Sequence, residues 1–219
     1  MPDLSETGSS GSGQIVLSAS HWQKRIQAFR ILQGVMSETA LFRSIGEIRE
    51  GDEYTGYRVS LSANYPPMAV PLKLDITTGD KITPKEIEYR FKLFLEDRSI
   101  SVLAYNLETI MAEKLETVIT RGDQNTRPRD YYDIYILAKL QYSNIEPGSL
   151  KAALKATVEK RGSTAVVKDY RKIMNAVRNS EVMRKQWYNY QKDFEYATDI
   201  VFEETCDAVV QLMDLLADI

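Results

Sequence analysis

Lys114, Asp130 and Asp133 are the residues whose surroundings least suit a decorative role. Leu107, Ile110, Met111, Leu115 and Val118 recur at helical spacing and form an apolar stripe. At about 100° per residue, Lys114 falls between Ile110 and Met111, inside that stripe, with Arg121 at its lower end. Glu113 and Glu116 are expected to project elsewhere. A lysine on a core-facing stripe is costly unless something compensates its charge. A second helix follows, with Ile134, Leu137, Ala138 and Leu140 on its apolar side and Asp130 and Asp133 on the same side in its first turn. Two readings stand. Aspartate at a helix start caps backbone N–H groups and suits the dipole. Alternatively, two inward carboxylates, an inward lysine and the basic loop carrying Arg121, Arg127 and Arg129 make a site for an anionic, phosphate-bearing ligand. Lys73 and Asp75 pose the same choice in the alternating run VPLKLDIT, where both fall on the polar face. That face is either solvated or, with Asp80 in the Thr78-Gly79-Asp80 turn just beyond, the end of a strand suited to metal or phosphate.

The elements that must carry these residues follow from periodicity. YRVSLSAN (57–64) alternates Tyr57, Val59 and Leu61 against Arg58, Ser60 and Ser62, as does 70–77, so both read as half-buried strands. Residues 90–95 and 99–104 read as two more short strands joined tightly at Asp97-Arg98. Asn106 is placed to cap the helix that begins at Leu107. One sheet of three to five strands is therefore expected within 40–104, packed against the helix 107–122. Residues 20–36 read as a helix presenting Trp22, Ile26, Phe29 and Leu32. After residue 144 helices are expected over 147–160, 164–178, 182–194 and 196–216. Lys and Arg between 151 and 185 alternate with apolar positions; they form either the solvated side of a bundle or a nucleic-acid surface.

Totals narrow the classes. With 219 residues, 43% of them hydrophobic, the chain can build one sizeable core, or a core with a helical appendage. A net charge of −3 excludes a global basic field. One cysteine, Cys206, rules out an internal disulfide and makes a reducing cytoplasm the default. One histidine, His21, and one cysteine make a zinc site a poor fit. No run approaches membrane-spanning length, and no signal pattern opens the chain.

Three ordered blocks, LKLDITTGDKITP (72–84), SVLAYNLETIMAEKLETVITRG (101–122) and NTRPRDYYDIYIL (125–137), resemble the AbiEii/AbiGii-type toxin family of nucleotidyltransferases. These are the toxin halves of bacterial abortive-infection toxin–antitoxin pairs, a phage-defence device. The resemblance implies an α+β fold: a truncated nucleotidyltransferase-like (polymerase β-like) mixed sheet with packed helices, followed by a C-terminal helical bundle. It implies NTP as substrate and Mg²⁺ as cofactor, with metals neutralising the triphosphate and helping to activate the attacking hydroxyl. By the same resemblance Lys114 of the AEK block binds phosphate. Asp130 of the RxRD block orients that lysine or serves as base. Asp75 of the KxDxxTGD block holds metal, with Lys73, Arg121, Arg127 and Arg129 on phosphate and Asp80, Glu113 and Asp133 in support. Lys73, Asp75, Lys114 and Asp130 are expected to face one cleft.

The sequence departs from the family at its front. The family opens with a Gly-Ser block followed by Asp-x-Asp on a strand, which cradle phosphate and hold metal. Here Asp3 stands where the first aspartate would align, Ser5 where the second should be, and Gly8-Ser9 has no Asp-x-Asp after it. The expected organisation is a flexible leader over 1–14, a nucleotidyltransferase-like core without its N-terminal motif over 15–142, and a helical region over 143–219. Two functions follow. One is a toxin transferring NMP from NTP to an RNA end, a tRNA acceptor by resemblance, or to a protein hydroxyl, partnered by a winged-helix antitoxin. The other is a non-catalytic remnant that binds antitoxin or nucleotide. The chain as given is expected to lack measurable nucleotide transfer.

Overall fold

The computed structural model describes residues 40–48, 56–76, 81–93 and 96–216. Asp3, Gly8-Ser9, His21, the helix expected over 20–36, the 78–80 turn and Asp80 lie outside the described residues. The chain divides into two compact units, Met1–Asp80 and Lys81–Ile219.

The first unit holds a three-stranded antiparallel sheet in sequence order: β1 (Ala40–Ile48), β2 (Gly56–Tyr65) and β3 (Met68–Ile76). The alternation read from the sequence holds for Tyr57, Val59 and Leu61 of β2, while Val70 and Leu72 of β3, expected on the covered face, are exposed and Ser62 is buried. Val59 and Leu61 are buried on the apolar face and pack with Ile45, Leu74 and Ile76. On the opposite face the ladder sets Ser60 against Lys73 and Arg58 against Asp75.

The second unit opens with an antiparallel hairpin, β4 (Ile87–Lys92) and β5 (Ser99–Ala104). Among the described residues five strands thus appear, but as two ladders rather than one sheet. The hairpin is also not packed against the following helix: every residue of β4 and all of β5 but Ala104 are exposed. It is joined to that helix at its base instead. Asn106 caps α1 (Leu107–Arg121) by accepting from Thr109 N–H at 2.7 Å, and its amide donates to the carbonyls of Thr83 and Lys85 at 2.7 and 2.9 Å. Thr109 adds a second stitch, its hydroxyl donating to Thr83 O and accepting from Thr83 N–H, each at 3.1 Å. The helix ends at Gly122, whose φ of 51° suits glycine and whose N–H returns to Val118 O.

Six further helices follow: α2 (Pro128–Gln141), α3 (Pro147–Arg161), α4 (Thr164–Lys168), α5 (Tyr170–Asn179), α6 (Glu181–Asp193) and α7 (Phe202–Leu215). One continuous core runs from Met111 and Leu115 of α1 through Ile134, Leu154, Val177 and Trp187 to Leu212 and Leu216. The border expected at 142/143 is therefore not a packing border: α1 and α2 share their core with the later helices.

Two helices differ from expectation for identifiable reasons. Residues 164–178 break at Asp169, whose N–H turns back to Val166 O at 3.0 Å while its carbonyl starts the next helix by accepting from Ile173 N–H at 3.1 Å. The helix expected over 196–216 starts only at Phe202. Trp187 Nε1 donates to Ile200 O at 2.9 Å, and the Gln191 amide reaches the carbonyls of Ala197, Thr198 and Ile200 at 3.1, 2.9 and 3.0 Å. These side chains of α6 capture the carbonyls that a continuous helix would use internally.

Three arginines of the basic run between 151 and 185 are paired along the surface of the bundle. Arg171, Arg178 and Arg184 pair with Asp214, Asp207 and Glu203, one stripe along α7. Among the described residues no helix is long and apolar enough to cross a membrane.

Candidate functional site

The centre of the site is the crossing of α1 and α2 within the second unit. Lys114 Nζ donates to Asp130 Oδ1 at 3.0 Å and to Asp133 Oδ2 at 2.7 Å. The lysine side chain is 21% exposed and Asp130 only 5%, so the pair sits at the rim of the core rather than inside it. That rim explains how an inward lysine is tolerated: its stem lies along the apolar stripe and its ammonium meets two carboxylates.

Local sequence sets Asp130 and Asp133 in place. Asn125 is buried, and its Oδ1 accepts from Arg127 N–H at 2.8 Å, folding the loop into α2. Pro128 then occupies the first helical turn, where its missing N–H costs nothing. Tyr131, fully buried, packs edge-on to Phe202 with ring centroids 5.7 Å apart, and burial pushes its hydroxyl pKa up. With Tyr131 fixed inward, Asp130 and Asp133 turn toward Lys114. Asp130 also gains from the positive helix end, but it does not cap it: the N-cap position is Arg127, and among the described residues no side chain accepts from the first N–H groups of α2.

Two arginines complete the cluster. Arg127 Nε lies 3.0 Å from Asp130 Oδ2, and Arg129 Nε lies 3.9 Å from Asp133 Oδ2. The Arg127 contact is an ion pair lying off the N–H axis, since Asp130 Oδ2 makes no aligned hydrogen bond. Lys114, Arg127 and Arg129 against Asp130 and Asp133 leave one positive charge in excess, with both guanidinium groups largely in solvent. A phosphate would find a point charge at the base and two forked donors at the entrance.

The other expected residues are placed as follows. Glu113 is half-buried on α1 beside Lys114, and its carbonyl accepts from Thr117 Oγ1 at 2.7 Å. Arg121 is exposed in the last turn of α1. Lys73 and Asp75 belong to the first unit. Lys73 is exposed, and Asp75 forms a bidentate pair with Arg58 at 2.7 and 2.8 Å. Both carboxylate oxygens of Asp75 are thereby occupied, and among the described residues no group of three His, Cys, Asp or Glu is placed to share a metal ion. The described residues therefore do not by themselves fit a Mg²⁺ site.

Three features escaped the sequence reading. Glu116, expected to point away from the core, is 4% exposed and is held by Arg161 at the end of α3. The buried stripe of α1 is rotated toward Ala112, Glu116 and Ile119. Leu140, expected on the apolar side of α2, is 66% exposed. The recoverable signal was Asn125, two residues ahead of a basic residue and a proline, a spacing that marks a side-chain-closed turn at a helix start.

The fold is α+β, and the cluster gathers Lys114, Arg127 and Arg129 around Asp130 and Asp133 at the junction of two helices. The chain belongs to the family of AbiEii nucleotidyl transferase toxins of type IV toxin–antitoxin systems, whose family model matches residues 21–211. No curated protein matches it. Among solved structures it is similar to a proposed nucleotidyltransferase from H. pylori, with 17% identity, a TM-score of 0.46, and coverage of 86% of this chain and 72% of that one. It is also similar to JHP933 from Helicobacter pylori, with 17% identity, a TM-score of 0.40, and coverage of 86% and 69%.

Proposed function

We propose that this protein is the nucleotidyltransferase of a toxin–antitoxin pair, transferring NMP from NTP to an RNA acceptor such as a tRNA end, or to a protein hydroxyl. The observation that carries the reading is Lys114 held between Asp130 and Asp133 with Arg127 and Arg129 outside them. In the reaction the acceptor hydroxyl oxygen bonds to the α-phosphorus, its proton passes to solvent or to the departing pyrophosphate, the bond from that phosphorus to the bridging oxygen breaks, and pyrophosphate leaves with the electron pair. Lys114 releases Asp133 and takes a phosphate oxygen. Asp130, the more buried carboxylate, keeps the ammonium oriented. Arg127 and Arg129 bind the triphosphate from the solvent side.

Asp75 and Lys73 enter the proposal as family-matched residues, Asp75 as the metal-side carboxylate. Asp80, Glu113 and Arg121 support the site. Since both Asp75 oxygens are engaged by Arg58, no step is assigned to Mg²⁺. A winged-helix antitoxin is the proposed partner and the cytoplasm the proposed place of action. The second reading, a module that binds nucleotide or antitoxin without transfer, is favoured by that same closed Arg58–Asp75 pair.

The test is to incubate the purified chain with labelled NTPs, Mg²⁺ and total tRNA, beside Lys114→Ala and beside a form carrying an added Gly-Ser…Asp-x-Asp segment. Label transferred by either Lys114 form and lost in Lys114→Ala supports the enzyme. Silence from all, with nucleotide still bound, supports the binding module.

A further inference from the structure

Beside the phosphate cluster lies a group of aromatic rings that the reaction above does not use. Tyr132 follows Tyr131 and precedes Asp133 on α2, and its ring centroid lies 4.7 Å from that of Tyr196. Tyr196 lies 5.4 Å from Phe194, and Phe194 lies 4.7 Å from Tyr190. Tyr190 and Tyr132 are largely covered, but Phe194 is 40% and Tyr196 53% exposed. The two outer rings therefore form an uncovered ledge on a covered base.

The ledge is held in place. The Tyr190 and Tyr196 hydroxyls share a hydrogen bond of 2.9 Å. Gln191 fixes the turn beneath by donating to the carbonyls of Ala197 and Thr198. Rings fixed before a ligand arrives lose little freedom on binding it. The ledge is also continuous with the phosphate cluster. Arg129, Tyr132 and Asp133 share one face of α2, at i, i+3 and i+4. Asp133 is close enough to help raise the Tyr132 hydroxyl pKa, after burial and Tyr196.

Charge sorts what such a ledge can take. Asp193 and Glu195 are exposed on either side of Phe194. They oppose a phosphate over the rings, whereas Arg127 and Arg129 favour one toward α2. A flat uncharged group linked to a phosphate matches that division, and a nucleobase is such a group. We propose that Phe194 and Tyr196 form a base-stacking subsite, on which a nucleobase rests while its phosphate lies at Arg127, Arg129 and Lys114. The inference rests on the nucleotidyltransferase reading. The base belongs either to the incoming nucleotide or to the unpaired end of an RNA acceptor.

Fluorescence titration of the full chain separates the cases, with 2-aminopurine riboside triphosphate as one probe and a short single-stranded RNA ending in 2-aminopurine as the other. Stacking on the ledge quenches the bound probe. Phe194→Leu and Tyr196→Leu keep apolar volume but remove the ring, and each is expected to relieve the quenching and weaken binding by roughly five- to 150-fold. Tyr196→Phe keeps the ring and is expected to retain both. A response confined to the triphosphate assigns the subsite to the incoming nucleotide; one confined to the RNA assigns it to the acceptor. A probe that binds the unaltered chain without quenching overturns the subsite, whatever the variants do. So does unchanged affinity in both leucine variants while Lys114→Ala weakens binding, a result that leaves the nucleotidyltransferase reading standing. Equal loss in Tyr196→Phe and Tyr196→Leu overturns it too, since the hydroxyl and not the ring would then matter. Failure of the unaltered chain to bind either probe removes the nucleotidyltransferase reading and the subsite with it.

Discussion

Asp130 and Asp133 are chemically identical and three residues apart, yet their environments give them different work. Asp130 is buried and touches both Lys114 and Arg127, while Asp133 is more open, shares Lys114 with Asp130 and lies 3.9 Å from Arg129. Removing a charged hydrogen-bond partner from a buried site costs about 2 kcal/mol, so Asp130→Ala is expected to lower stability by about that much and to weaken nucleotide binding. Asp133→Asn should change stability by less than about 1 kcal/mol, as its contacts are partly solvent-screened, and should leave nucleotide affinity equal or improved. Urea unfolding and NTP titration of the two variants check the contrast. Lys114, Asp130 and Asp133 were legible because a charge on an apolar stripe is an anomaly of periodicity. Glu116 was not, although it is as anomalous. Its compensating partner, Arg161, lies 45 residues away, and no local pattern announces the pairing.

At the scale of elements, Asn106 does the most with one side chain. It caps α1 and binds the two carbonyls that anchor the segment entering β4. Asn106→Ala loses the cap and removes the amide donor from the Thr83 and Lys85 carbonyls, of which Thr83 O keeps the Thr109 hydroxyl, an expected cost of about 2 kcal/mol. Asn106→Asp keeps the cap but turns a buried carboxylate oxygen onto the Thr83 and Lys85 carbonyls, so it should be no more stable than Asn106→Ala. Thermal melts of the three forms distinguish cap from stitch. The cap itself was readable, because asparagine before a periodic run is a local signal. The stitch was not, because Thr83 and Lys85 are more than twenty residues distant. The same reason governs the helices. α3 and α6 follow their periodicity, whereas the late start of α7 is imposed by Trp187 and Gln191 from another helix. Strand alternation located β2 and β3 to within a residue or two. It did not show that, among the described residues, β4 and β5 pair only with each other, since alternation fixes a face and not a partner.

At the scale of the molecule, the helical unit is one core whose centre holds ionisable groups kept neutral. Burial pushes the Cys206 thiol up to about 12 from an ordinary 9.0, and also raises Tyr131 from an ordinary 10.0. Between those values the folded chain keeps protons that the unfolded chain releases. Stability from this source is complete below about pH 9 and is lost as pH rises toward 12. Denaturant midpoints should therefore fall steadily above pH 9, and Cys206→Ala should flatten the slope. Family membership, the α+β class and the helical C-terminal half were readable from motif blocks and periodicity. The division of the chain at Asp80 rather than near residue 142 was not, because it depends on which helices share a core. The central claim is that the Lys114 clamp is a phosphate site, and calorimetric titration of NTP into the full chain and Lys114→Ala tests it most directly. A lost charged contact predicts at least a tenfold weaker affinity, about 1.4 kcal/mol, in a variant that still folds. Equal affinity in the two proteins would contradict the claim and leave Lys114, Asp130 and Asp133 as a structural ion-pair cluster.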